Sequence, residues 1–431
     1  MRFALLLTPL GGDGLAADEI EYLSGANNLL RFGEYSVHGQ IAYRPPLYSV
    51  VLSGLKLVFG DADYRISIII IKFFQMLIGS GSVVLMYLIS RNYSQDKFRV
   101  RLITLLGAVY PIIGFYVLSV TSETLYMFLC LLCAWQISRF LTRKPSLTYL
   151  IWSAIFGGLA VLTRPVFLAY VPFVLLVLLR DQAIPPRQKY INCATWLAVV
   201  CIVMAPWLIR NYAKLGVIKL DTASGQNFWL GNNPDSTGRS VFHGELAPPS
   251  YVSSLRNLQG LPEAPRDAAF TELAIRYIYE NPIDFVRKGF YRVAVTWNTE
   301  LRIFRWAVTN RRFKGIEPSA DFVISGLLTL PHVFLMLAWI ATMVFSPSSR
   351  NSLLFSGHFF AISAVSFVFL GDDRYHVPVL PFLIIQVCLF FPKIEFNRNK
   401  FGQAIQSPRF WLFSGLSTGY LAVLYHLGQH S

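Results

Sequence analysis

Apolar runs of about 20 residues, the length that crosses a bilayer, recur along almost the whole chain. Inside lipid a helix satisfies its own backbone hydrogen bonds, so such runs predict an all-α polytopic membrane protein. The alternating pattern of a membrane barrel is absent. Composition agrees: 54% of the 431 residues are hydrophobic and 14% are charged, against about 25% charged in a soluble domain.

Basic clusters orient the runs. Arg91, Lys97, Arg99 and Arg101 mark one inner loop, Arg139, Arg143 and Lys144 a second, Arg180, Arg187 and Lys189 a third, and Lys393, Arg398, Lys400 and Arg409 a late one. Spans are then expected near 66–90, 102–118, 123–141, 148–162, 166–180, 191–209, 321–345, 353–370, 376–392 and 410–427. A short apolar run, Phe3 to Leu10, brings the count to about eleven. That run is too short to cross unless the helix is thin or the chain once began earlier. Residues 47–59 are apolar but short and contain Lys56. Counting them as a span would put the Arg91–Arg101 cluster outside, so they are expected to lie on the outer surface. Three parts follow: 1–209, an N-terminal catalytic membrane module with a first outer loop at 11–65; 210–320, a mixed outer segment; and 321–431, the last spans. The expected setting is the inner membrane, with the two long polar segments facing the periplasm or exterior. Ser36 and Ser240 should then be reachable from outside.

The net charge of +14 does not point to nucleic acid, because the basic residues sit in short loops between spans. The five cysteines, Cys130, Cys133, Cys193, Cys201 and Cys388, all lie in apolar runs. No disulfide framework is implied, and Cys130 and Cys133 read as small buried residues.

Four polar constellations stand out. Asp18-Glu19 opens a helical pattern (Ile20, Leu23, Ala26, Asn27, Leu30) that ends at Gly33. The pair is either a dipole-favoured first turn or a positioned base for a hydroxyl acceptor. Thr121-Ser122-Glu123 turns back into a span; it is a capped helix start, an interfacial acid or a functional one. Arg44, Arg164, Arg210 and Arg374 lie on the outer side, against the usual trend. They either snorkel to headgroups or grip a phosphate with their planar forks. The stretch from Ser224 to Pro234, with Asn227, Trp229, Asn232 and Asn233, suits sugar recognition or a compact turn. His38 and His243 lack ligand spacing, so no metal site is assigned. No Walker loop or dinucleotide fingerprint occurs.

Asp-Glu in the first loop, Tyr43-Arg44-Pro45-Pro46-Leu47-Tyr48 and Ser122-Glu123-x-Leu125 resemble the GT-C membrane glycosyltransferases. The likeness is greatest to the protein O-mannosyltransferase and lipid A aminoarabinose transferase superfamily. Pro206-Trp207-Leu208-Ile209-Arg210-Asn211-Tyr212, then Gly231-Asn232-Asn233, and Arg374-Tyr375-x-x-Pro378-x-x-Pro381 are similar to bacterial members. The resemblance implies GT-C architecture and a polyprenyl-phosphate-linked sugar donor. It implies a hydroxyl acceptor on protein, lipid or glycan, and inversion by direct displacement. By residue match, Asp18 would be the general base, Glu123 the second-loop acid, with Glu19 beside Asp18, and Arg44 a donor-phosphate ligand. Tyr43 and Tyr48 would lie at the sugar or acceptor. Some relatives carry an acid where this chain has Tyr43, which leaves a divalent cation open. A flippase for lipid-linked sugar, expected to show mid-span charges or paired broken helices, and a polysaccharide polymerase or ligase are the competing classes.

Overall fold

The structure, a computed structural model, describes residues 17–59, 64–143, 145–241, 246–299, 318–346, 352–391 and 407–429. The run Phe3 to Leu10, His243 and the basic cluster at 393–400 lie outside the described residues. Every regular element among the described residues is helical; two isolated bridges, Val37–Gln40 and Arg239–Gly371, are the only β-type pairings there.

The first half comprises α1 (Ala17–Phe32), α2 (Leu47–Phe59), α3 (Tyr64–Tyr93), α4 (Lys97–Val109), α5 (Pro111–Tyr116), α6 (Glu123–Thr142), α7 (Leu147–Thr163), α8 (Val171–Leu179) and α9 (Pro186–Leu215). The second half comprises α10 (Ser224–Gly231), α11 (Pro249–Leu258), α12 (Glu263–Glu280), α13 (Pro282–Thr296), α14 (Pro318–Phe345), α15 (Ser352–Val368), α16 (Leu380–Phe390) and α17 (Pro408–Gln429). Four stretches are long and apolar enough to cross a membrane: Ile66–Tyr93, Glu123–Thr142, Pro186–Leu215 and Asp373–Phe390. The chain is a helical membrane protein.

α6 is the central post, packed by α3 on one side and α7 on the other, with α9 behind α7. Its inner residues, including Cys130 and Cys133, are buried. α3 instead shows Ile66, Ile69, Phe73, Leu77 and Val84 at its surface, about one per helical turn. Such a stripe suits lipid.

Three expected spans are interrupted. The run 102–118 breaks at Tyr110, whose ψ of 117° is the extended backbone a following proline enforces. The runs 166–180 and 376–392 each begin as 3-10 turns, Pro165–Ala169 and Asp373–Val379, before α8 and α16. The two 3-10 turns carry Arg164, at the N-cap of the first, and Arg374, inside the second.

α1 ends at Gly33, whose φ of +66° suits glycine. Only part of the apolar pattern is buried. Ile20 and Leu30 are 52% and 40% exposed, while Leu23 and Ala26 are buried together with Glu19, Glu21 and Tyr22. The inward face of α1 therefore mixes acids with apolar residues. Residues 47–59 do form a short helix, packed on α1 through its Tyr48–Leu52 face.

The large polar segment is mostly helical. α10 packs on α12, and Trp229, Leu230, Tyr251, Phe270 and Leu370 form a small core of their own.

Candidate active site

Asp18 stands in the first turn of α1 between two guanidinium groups. Arg44 Nη2 donates to its Oδ1 at 2.8 Å, and Arg374 Nη1 donates to its Oδ2. Arg44 comes from the loop before Pro45-Pro46; Arg374 comes from the 3-10 turn ahead of α16. Arg44 Nε also donates to Glu21 Oε2 at 2.5 Å, and its guanidinium lies over the rings of Tyr22 and Tyr43. Burial raises the Asp18 carboxyl, but Arg374 and Arg44 outweigh it and hold it well below the usual carboxylate range.

A second pair lies beside the first. Glu123, 2% exposed, opens α6 and takes Arg164 Nη1 on Oε1 at 2.6 Å. Its Oε2 is buried with no hydrogen-bond partner among the described residues. Ser122 sits at the helix N-cap without capping it. Its hydroxyl instead pairs with Tyr22 Oη at 2.9 Å and receives Arg164 Nη1 at 3.3 Å. Arg164 and Arg374 both lie over the ring of Tyr375, which joins the two pairs into one charged floor.

Glu19 does different work from its neighbour. It is 2% exposed, and its Oε1 accepts from Val120 N at 2.8 Å, tying α1 to the loop that carries Ser122 and Glu123. Tyr48 is fully buried, its hydroxyl donating to Gln75 Oε1 at 3.2 Å, so it supports the floor from below. Tyr43 borders Arg44 and meets the His38 ring edge-on.

Arg210 is not in this cluster. Its Nη1 donates to Ile41 O at 2.5 Å and to Asn211 Oδ1 at 2.9 Å, and it lies over Trp207. There it borders an apolar groove of about 690 Å³ lined by Leu29, Phe32, Leu47, Val50, Leu162 and Val203. Pro46, two residues past Arg44, also lines that groove.

The expected sugar-binding amides are used elsewhere. Asn232 and Asn233 are fully buried. Asn232 Nδ2 donates to Phe228 O and Val368 O, both at 2.9 Å; Asn233 Nδ2 donates to Trp229 O at 2.9 Å and Leu230 O at 3.0 Å. Trp229 is 6% exposed, with Nε1 on Ser254 Oγ. They hold the large segment together; of the four residues, Asn227 alone is exposed. Ser240 is likewise buried, 7% exposed, so it is not a labelling site.

Two anchors escaped sequence reading because their partners are remote. Glu263, at the start of α12, accepts from Ile41 N at 2.7 Å, Ala42 N at 2.8 Å and Thr222 Oγ1 at 2.7 Å. Arg292 on α13 is fully buried and donates to Phe367 O, Val368 O, Gly231 O and Asn232 Oδ1.

The described residues contain no group of three or more His, Cys, Asp or Glu able to hold a metal ion. With Asp18 and Glu21 both facing guanidinium groups, the cluster does not fit a resident divalent cation.

Residues 43–209 match the model of the family described as dolichyl-phosphate-mannose-protein mannosyltransferase. The fold is that of ArnT from Cupriavidus metallidurans. Its apo structure aligns with a TM-score of 0.55 and 14% identity, covering 94% of this chain and 60% of that one. The same protein bound to undecaprenyl phosphate aligns with a TM-score of 0.52 and 15% identity, covering 94% and 62%. The chain thus spans about three fifths of the length of these solved structures. No curated protein matches it by sequence.

Proposed function

With a mannosyltransferase signature over residues 43–209 inside this GT-C fold, we propose that the chain is an inverting glycosyltransferase. It moves a sugar from a polyprenyl-phosphate donor to a hydroxyl on protein, lipid or glycan, at the outer face of the inner membrane. The observation that carries the reading is Asp18 held between Arg44 and Arg374.

Each group has a task in that reaction. The donor phosphate competes with Asp18 for the two arginines, whose forks match its oxygens. As they turn to the phosphate, Asp18 loses the charges that keep it acidic and becomes a better base. The acceptor hydroxyl attacks the anomeric carbon while Asp18 takes its proton. The bond from that carbon to the phosphate oxygen breaks, and polyprenyl phosphate leaves with the electron pair. Arg44 and Arg374 stabilise the charge that develops on it. Glu123 Oε2 accepts a hydrogen bond from a sugar hydroxyl, while Arg164 holds its other oxygen. The prenyl chain follows Pro46 into the groove under α1 and α2.

The test is release of undecaprenyl phosphate from a panel of undecaprenyl-phosphate-linked sugars by the purified protein, with Asp18→Asn as control. Movement of the lipid across a bilayer without cleavage would favour the flippase reading. Extension of a lipid-linked glycan chain would favour the polymerase.

A further inference from the structure

Arg374 reaches Asp18 from a turn that the large polar segment grips from behind. Gly371 N donates to Gly238 O at 2.9 Å, and Ser240 N donates to Gly371 O at 3.0 Å. Gly371 lies so close to α13 that a Cβ there would sit 2.6 Å from Arg292 O. Gly238 needs its φ of +80° and packs on the Arg292 side chain. Beyond this backbone clasp, Ser240 Oγ donates to Asp372 Oδ2 at 2.5 Å. Asp372 is fully buried; its Oδ1 accepts from Arg374 N at 3.1 Å, and its Oδ2 lies 3.2 Å from Arg374 Nε.

Arg374 therefore stands between two carboxylates, Asp372 behind it and Asp18 ahead. A buried carboxylate oxygen short of donors draws in whatever cation it can reach. The Ser240 hydroxyl supplies Asp372 Oδ2 with a donor and leaves the end of the guanidinium for Asp18. The two backbone bonds fix the loop without that hydroxyl, so loop shape does not account for it.

We propose that Ser240 is a positioning residue for Arg374, holding Asp372 so that the guanidinium projects to the place where the donor phosphate arrives. The inference rests on the reading of the site as one for a lipid phosphate.

The test is the affinity of undecaprenyl phosphate for the full chain in nanodiscs, read for wild type, Ser240→Ala, Ser240→Thr, Arg374→Ala and the Ser240→Ala/Arg374→Ala pair. Ser240→Ala should weaken binding about tenfold, and Ser240→Thr, which keeps the hydroxyl, should stay within about twofold of wild type. With Arg374 already removed, Ser240→Ala should cost nothing more. Should Ser240→Ala fail to fold, Ser240→Gly keeps both backbone bonds and replaces it. Unchanged affinity in Ser240→Ala, or an equal loss with and without Arg374, overturns the inference while the functional reading stands. Failure of the wild-type chain to bind the lipid overturns both.

Discussion

Arg374 Nη1 bonds Asp18 Oδ2 across 356 residues of chain. The first surface helix and the turn before α16 thus meet at one carboxylate, and the acid that would take a proton shares its cations with the phosphate that would leave.

Asp18→Asn keeps size and hydrogen bonding but cannot accept a proton. Turnover should fall about 10²–10⁴-fold with lipid affinity retained. Near-normal transfer in Asp18→Asn alongside a dead Glu123→Gln would move the base to Glu123.

Arg374→Ala removes a cation that holds the Asp18 carboxyl down. The sign is fixed: with less positive charge nearby, the carboxyl titrates at higher pH. The acid limb of kcat/KM should therefore shift upward relative to wild type, and a limb left in place would remove Arg374 from the site.

Arg44→Ala should weaken use of the donor roughly tenfold to a hundredfold, from loss of a charge-assisted bond worth about 1.5–3 kcal/mol. Arg44→Lys should recover only part, since an ammonium lacks the planar fork. Donor KM measured against acceptor KM checks it: an equal rise in both would show collapse of the loop.

Arg44, Arg164 and Arg374 were legible because membrane topology makes arginine rare on the outer side, and Asp18 and Glu123 because each is an acid at the start of a helical pattern, so each stood out singly. Their pairing was not legible. Arg374 and Asp18 lie at opposite ends of the chain, and nothing in the sequence places Glu21 on Arg44. Asn232 and Asn233 misled for a related reason. Amides beside Gly231 and Pro234 read as an open turn, yet both bond carbonyls at the end of their own helix, and Asn232 also bonds Val368 O of α15. The four stretches long and apolar enough to cross a membrane were visible from hydropathy; the breaks at Tyr110, Arg164 and Asp373 were visible only as prolines.

Arg292→Ala should unfold the large segment first. It removes one donor each from three carbonyls and one amide oxygen in a buried setting, of which Val368 O keeps Asn232 Nδ2, and a single buried orphan costs about 1–3 kcal/mol. Limited proteolysis should cut near α10 in the variant under conditions that spare wild type.

Cysteine placed at Tyr279, 88% exposed, should react with an impermeant maleimide in intact cells, in a background lacking the native cysteines. Cysteine at Gln182, at the opposite end of the bundle, should react only after lysis. The reverse pattern would invert the membrane orientation and remove the outer-face reading.

Glu263 fastens the backbone at Ile41 and Ala42, just ahead of Arg44, while Ser240 fastens Asp372, just ahead of Arg374. Both jaws that close on Asp18 are thus fastened to the same polar segment, and the gap between them depends on it. Exchange of residues 211–299 between relatives would therefore act as a change of caliper: it would reset which headgroup fits, while the membrane bundle beneath kept its chemistry.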